Sequence, residues 1–284
     1  MAVFSNQATL TYNGVSTNSN VAFGEILDAL TATKTVVEDA YAVGDTLTYV
    51  VALRNVAGGA LTGLTVTDDL GGYDFGGTTV YPLTFVPGSV LFYVDGVLQP
   101  APAVTAGPPL VITGLTLPAD SDAVIVYQAT VNEFAPPEAG GTVVNTVTVT
   151  GDGLSAPVTA TETVAAKTAA ALSISKSISP TQVVDNDRVT YTFVIQNFGN
   201  EAVLATDDAA ITDTFDPILT ALAVTFNGDP WAVGVNYTYN EATGLFTTTP
   251  GQITVPAATF VQDPVTGAYT VTPGTATLVV VGTI

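Results

Sequence analysis

The chain has 284 residues, 25 of them acidic and 5 basic, for a formal charge of -20. That balance leaves no basic patch to neutralise phosphates or anionic lipid, which excludes nucleic acid as a partner, and no apolar run is long enough for insertion as a membrane-spanning helix. With no Cys and no His, disulfides, thiol and imidazole catalysis and most transition-metal sites are excluded, and no cofactor or metal is implied.

Thr, Val and Ala dominate, punctuated by 26 Gly and 17 Pro, the composition of an all-β chain with many turns. The length suits two domains. Met1 to Ser5 carries no basic n-region or apolar h-region of a secretory signal, which leaves the export route open. Val3 to Phe23 then alternates, with Ala8, Leu10 and Tyr12 in phase against Gln7, Thr9 and Thr11. Leu30 to Asn55 (LTATKTVVEDAYAVGDTLTYVVALRN) supplies a Lys-bearing strand, a polar turn and a strand with Leu47, Tyr49, Val51 and Leu53 on one face. LTVTDDL follows from Leu64, and the first module closes with the hairpin Val143 to Val164 around a Gly-Asp-Gly turn.

The pattern recurs. LSISKSISPTQVVDNDRVTYTFVIQN (Leu172 to Asn197) repeats the first pair of strands, with Val189, Tyr191, Phe193 and Ile195 in phase, and AITDTF (Ala210 to Phe215) repeats LTVTDDL. Two added hairpins, YTYNEATGLFTTT and FVQDPVTGAYTV, precede TATLVVVGTI, where Ile284 corresponds to Val131. A counterpart of the closing hairpin is therefore not expected at the C-terminal end of the second module. Its counterpart is Val3 to Phe23: Asn6 matches Asn145, Ala8 matches Val147, Leu10 matches Val149 and Gly14 matches Gly153. The organisation expected is a donor hairpin (1–24), a complete β-sandwich module (27–164) and an incomplete one (170–284).

The order TKTV, VGDTLTYVVALRN, LTVTDDL, LTFVPGSV, VVNTVTVT resembles the tandem repeat called domain of unknown function 11, found in bacterial and archaeal surface proteins. That repeat is similar to the immunoglobulin-like domains of Gram-positive pilus shafts. The resemblance implies two immunoglobulin-like β-sandwiches, a structural role at a cell surface and no enzymatic activity. The string nearest to a sortase signal, LPADS from Leu117, is internal, so sortase-driven polymerisation is not expected.

A sandwich lacking its last hairpin leaves backbone groups unpaired beside an apolar face, and a lone hairpin is marginal until it joins a sheet. The two defects remedy each other by strand addition. The hairpin is tethered by about ten residues, a reach of roughly 33–36 Å, so with modules end to end donation goes to another chain. Identical subunits then add head-to-tail into an extracellular or cell- or spore-surface filament, with Ala8, Leu10, Tyr12, Val21 and Phe23 as donor-strand residues. The alternative is a monomeric adhesin or surface-coat module whose loops bind a ligand.

Strand parity also turns polar residues inward. Lys34 is in phase with Leu30, Ala32 and Val36, and Lys176 with Leu172, Ile174 and Ile178. Asp68 and Asp213 are in phase with Val66 and Ile211, and Asn145 and Asn6 with Val147 and Ala8. Buried polar groups must be paired. One account is a Lys–Asp ion pair plugged by the Asn. The other, implied by the pilus-shaft resemblance, is an isopeptide bond from Lys to Asn promoted by the Asp: Lys34 to Asn145 within a module, and Lys176 to Asn6 of the next chain. The acidic clusters around Asp207 and Asp74 match no EF-hand spacing and read as solvated loops. Trp231 reads as an exposed loop tip or a packed ring. No segment concentrates the paired carboxylates and aromatic platforms that a carbohydrate-active enzyme would need.

Overall fold

Alternating apolar and polar residues between frequent turns leave strands as the dominant regular structure. The computed structural model describes residues 2–26 and 28–284; Met1 and Leu27, where the hairpin and the first module were expected to begin, lie outside them. Two compact units emerge, residues 1–134 with 142–164, and residues 135–141 with 165–284. Both are all-β, built of antiparallel sheets.

Ahead of the first sandwich, β1 (Ala2–Asn6) pairs antiparallel with β4 (Ala22–Ile26), and β2 (Thr9–Tyr12) with β3 (Val15–Asn18). Asn13 and Gly14 both take positive φ, 50° and 80°, as a two-residue type I′ turn requires. A bulge separates the two ladders, where Ala8 N–H donates to Ser19 Oγ at 3.0 Å. None of these strands pairs with a sandwich strand.

One sheet of the first unit runs β13 (Val97–Leu98), β12 (Leu91–Val94), β16 (Asp122–Val131), β7 (Thr46–Asn55), β5 (Leu30–Val36), with β11 (Leu83–Phe85) also on β16. The other runs β14 (Ala103–Ala106), β15 (Leu110–Leu117), β8 (Leu61–Asp68), β17 (Thr142–Asp152), β18 (Val158–Ala166), β6 (Ala40–Tyr41), and β9 (Tyr73–Phe75) with β10 (Thr78–Val80) forms a ribbon. Leu47, Tyr49, Val51 and Leu53 are buried as their phase requires, together with Leu64, Val66, Val147 and Val149 of the other sheet. The closing hairpin turns later than the Gly-Asp-Gly signal suggested: β17 continues through Asp152 and residues 153–157 make the connection.

The second unit repeats this plan in part. β19 (Leu172–Ser179), β20 (Arg188–Asn197), β28 (Gly274–Thr283), β22 (Thr220–Phe226) and β23 (Asp229–Trp231) form one sheet. β21 (Thr212–Thr214), β25 (Leu245–Thr248) and β24 (Tyr237–Asn240) form the other, and β26 (Thr259–Gln262) pairs with β27 (Tyr269–Thr272). The internal repeat is carried into the hydrogen-bond register. Lys34 faces Val51 across β5 and β7 as Lys176 faces Phe193 across β19 and β20. Asn55 and Asn197, both buried, donate from Nδ2 to the carbonyls of Pro118 and Pro256 at 2.7 and 3.1 Å.

The units part at one edge. β8 lies between β15 and β17, whereas β21 has β25 on one side and, among the described residues, no strand on the other. Leu172, Ile174 and Ile178, in phase with Lys176, are exposed, and so is every residue of β19. Nothing in the second unit takes the place of β17 and β18 to cover them. Replacing the buried Leu64 by Ala is expected to destabilise the first unit by about 2–5 kcal/mol and to leave the second unit's transition in place. Urea unfolding followed by Trp231 fluorescence for the second unit and by circular dichroism for both checks this.

Candidate functional site

Strands from both sheets bring three polar side chains into the first core. Lys34 comes from β5 and Asp68 ends β8. Asn145 lies on β17 two residues before Val147, the partner of Asp68, and so on the same face. Relative exposures are 3% for Lys34, 1% for Asp68 and 0% for Asn145. Lys34 Nζ donates to Asp68 Oδ2 at 2.6 Å, and Asp68 Oδ1 accepts from Leu70 N–H at 2.9 Å.

Two tyrosines complete the pocket. Tyr49 on β7 and Tyr127 on β16 are register partners whose rings stack at 5.5 Å, and Lys34 Nζ lies 4.9 Å from the centre of the Tyr49 ring. The Tyr127 hydroxyl donates to Asp68 Oδ2 and accepts from Asn145 Nδ2 at 3.4 Å. Tyr49 Oη and Asn145 Oδ1 are buried without a hydrogen bond of ordinary geometry. Burial pushes the Lys34 amine down, against the opposing pull of Asp68. Burial, reinforced by the Asp68 charge, drives the Tyr127 hydroxyl well up, and burial also raises Tyr49, with the neighbouring Asn145 amide opposing. The site thus holds an amine biased toward its neutral, nucleophilic form, a carboxylate to take its proton and an amide with a free carbonyl oxygen.

In the second unit Lys176 Nζ pairs with Asp213 Oδ2, and the ammonium sits 4.6 Å from the centre of the Tyr191 ring. Here the environment differs: the Lys176 side chain is 40% exposed and Asp213 18%. Asn6 is exposed on the hairpin, as are Ala8, Leu10, Tyr12 and Phe23; Val21 is exposed too and sits between β3 and β4. Lys34, Asp68 and Asn145 are therefore brought together, Lys176 and Asp213 likewise, and Asn6 stands in the exposed hairpin. Sequence reasoning missed Tyr127, although the alternation Ala123, Ile125, Tyr127, Ala129 placed it on the core face. It also missed Phe4, which lies across from Gly24 and is exposed.

Among the described residues no cluster of three His, Cys, Asp or Glu side chains is placed to hold a metal ion. Asp69 Oδ1 accepts from Gly71 and Thr146 N–H groups, both at 2.9 Å, and Trp231 stacks on Phe226 at 5.0 Å.

No protein-family model and no curated protein matches the chain. Among solved structures it is similar to BcpA, the major pilin subunit of Bacillus cereus, at 12% identity over 96% of this chain and 73% of that one, with a TM-score of 0.37. A C-terminal fragment of the major pilin GBS80 of Streptococcus agalactiae matches at 15% identity over 87% and 91%, with a TM-score of 0.37. The collagen-binding subdomain of the Enterococcus faecalis surface protein ACE matches at 7% over 49% and 99%, with a TM-score of 0.30. At these identities and scores the likeness says nothing about what the chain does.

Two stability consequences follow from the burial difference. Asp68→Ala strands a buried amine and is expected to cost the first unit about 3–5 kcal/mol, whereas Asp213→Ala, beside an exposed lysine, is expected to cost the unassembled second unit under about 1 kcal/mol; denaturant midpoints of the two variants decide. The tyrosines set a pH dependence. Above about pH 10 the unfolded chain sheds phenol protons that folded Tyr49 and Tyr127 keep. Stability of the first unit therefore falls as pH rises past that point, and Tyr127→Phe flattens the fall in urea midpoints measured against pH.

Proposed function

We propose that the chain is the structural subunit of an extracellular or cell- or spore-surface filament, without turnover of any external substrate. Its hairpin, residues 1–24, completes the incomplete module, residues 170–284, of the next subunit. An isopeptide bond from Lys176 to Asn6 locks the joint, as a Lys34–Asn145 bond locks the complete module, residues 27–164. The observation that carries this reading is the free edge of β21 beside a partly exposed Lys176–Asp213 pair, where the matching strand β8 has β17 and its pair is buried.

The geometry of the complete module supplies the docking register. Asp68 pairs with Val147 and Val66 with Val149. With Asn6 in the role of Asn145, Ala8 falls opposite Asp213 and Leu10 opposite Ile211, and Phe4 takes the place of Val143. Docking would cover Phe4, Leu10, Ile174 and Ile178, all exposed in the single chain, each contributing about 1.5–3 kcal/mol if fully buried. It would also remove water from Lys176, which favours the neutral amine. That amine attacks the Asn6 carboxamide carbon; the new C–N bond forms, the old one breaks, and the displaced nitrogen leaves as ammonia with the proton the lysine gives up. Asp213 carries that proton.

A denaturing gel of protein boiled in detergent tests the reading. The wild type is expected to run as a ladder in single-chain steps, and Lys176→Ala and Asn6→Ala each as one band. Removal of residues 1–24 is expected to abolish filaments under native conditions too. A single band for the wild type overturns the intersubunit bond, and a shortened chain that still forms filaments overturns hairpin donation.

A further inference from the structure

The Tyr127 hydroxyl is hydrogen-bonded to both the carboxylate and the amide of the first core. It donates to Asp68 Oδ2, the same oxygen that receives Lys34, and accepts from Asn145 Nδ2, the nitrogen that must depart if Lys34 acylates itself on Asn145. We propose that the Tyr127 hydroxyl is a catalytic proton relay in that linkage, carrying the lysine proton from Asp68 to the leaving nitrogen. The proposal rests on the reading that the Lys34–Asn145 bond forms.

The protons balance. Lys34 passes one to Asp68 Oδ2, across 2.6 Å, and its neutral nitrogen bonds to the Asn145 carboxamide carbon. As the carbon–nitrogen bond to Nδ2 breaks, Tyr127 gives its hydroxyl proton to Nδ2 and takes one from Asp68. The amine nitrogen, still carrying a surplus proton, returns it to the Asp68 carboxylate, so ammonia leaves and tyrosine ends as it began. A relay must start protonated, and burial beside Asp68 holds the Tyr127 hydroxyl in that form.

The hydroxyl is separable from the ring's packing role. In the second unit Val280 faces Tyr191 where Tyr127 faces Tyr49, and the Phe215 ring packs on Tyr191 at 4.9 Å instead. An aromatic without a hydroxyl thus fills the equivalent core. Tyr49 offers a matched control, because its hydroxyl is buried in the same pocket and makes no hydrogen bond to Asp68.

The experiment follows newly synthesised full-length chain, quenched in acid at intervals, digested and read by mass spectrometry for the Lys34–Asn145-linked peptide. Loss of a general acid–base group predicts that Tyr127→Phe links about 100-fold more slowly or worse, while Tyr49→Phe, which removes a hydroxyl that does not reach Asp68, slows it far less. Near-ultraviolet circular dichroism of Tyr127→Phe shows whether the core remains packed. Wild-type linkage with an unchanged rate in Tyr127→Phe overturns the relay and leaves the bond standing. Equal slowing in both variants, or slowing with a loosened core, overturns it as a packing effect. If the wild type never links, the bond itself is refuted and the relay with it.

Discussion

Backbone N–H and C=O groups at the edge of a sheet that flanks an apolar core must find partners, and this requirement organises the molecule. In the first unit it is met from within: β17 pairs with β8, and β18 continues the sheet to β6. In the second unit β21 pairs on one side only. The exposed face of β19 accompanies that free edge, because the strands that would complete the opposite sheet are the strands that would cover it.

The two units also differ in how far they bury the lysine and its partner. The two Lys–Asp pairs are built alike, each lysine reaching from the first strand of its module to an aspartate on a strand of another sheet, over a tyrosine ring. Burial of the first pushes its amine toward neutrality against the attraction of the carboxylate. The second remains open to solvent, where an ion pair is screened and contributes little. One arrangement of side chains therefore sits in two environments that differ in solvent access. On the proposed function, a strand laid over the second pair would bury it and so couple the covalent step to docking.

The cores differ in how they place aromatic mass. Tyr49 and Tyr127 stack across neighbouring strands in the first, whereas Tyr191 meets Phe215 from the opposite sheet in the second, with Val280 in the position of Tyr127. An aromatic contact is kept and its chemistry changed, since Val280 carries no hydroxyl. An isopeptide bond in each module would then form in unequal surroundings.

Much of this was legible in the chain itself. Period-two alternation placed Tyr49 and its neighbours on the core face, and the Lys34, Asp68 and Asn145 phases converged because strand parity is fixed locally by the pleat. The repeat from Leu30 to Asn55 and from Leu172 to Asn197 extends even to identical strand register. Parity cannot say whether a face is covered, however, and Ile174 and Ile178 pointed toward a core that the single chain does not close. Nor does it say which hydroxyl reaches which carboxylate: Tyr127 was visible as an inward residue, but its bridge from Asp68 to Asn145 depends on three strands from two sheets. The sequence by itself determined which residues face inward, because that depends on neighbours two positions away. Only the tertiary structure decided which of them are buried and what they touch, because burial and contact depend on strands far apart in the chain.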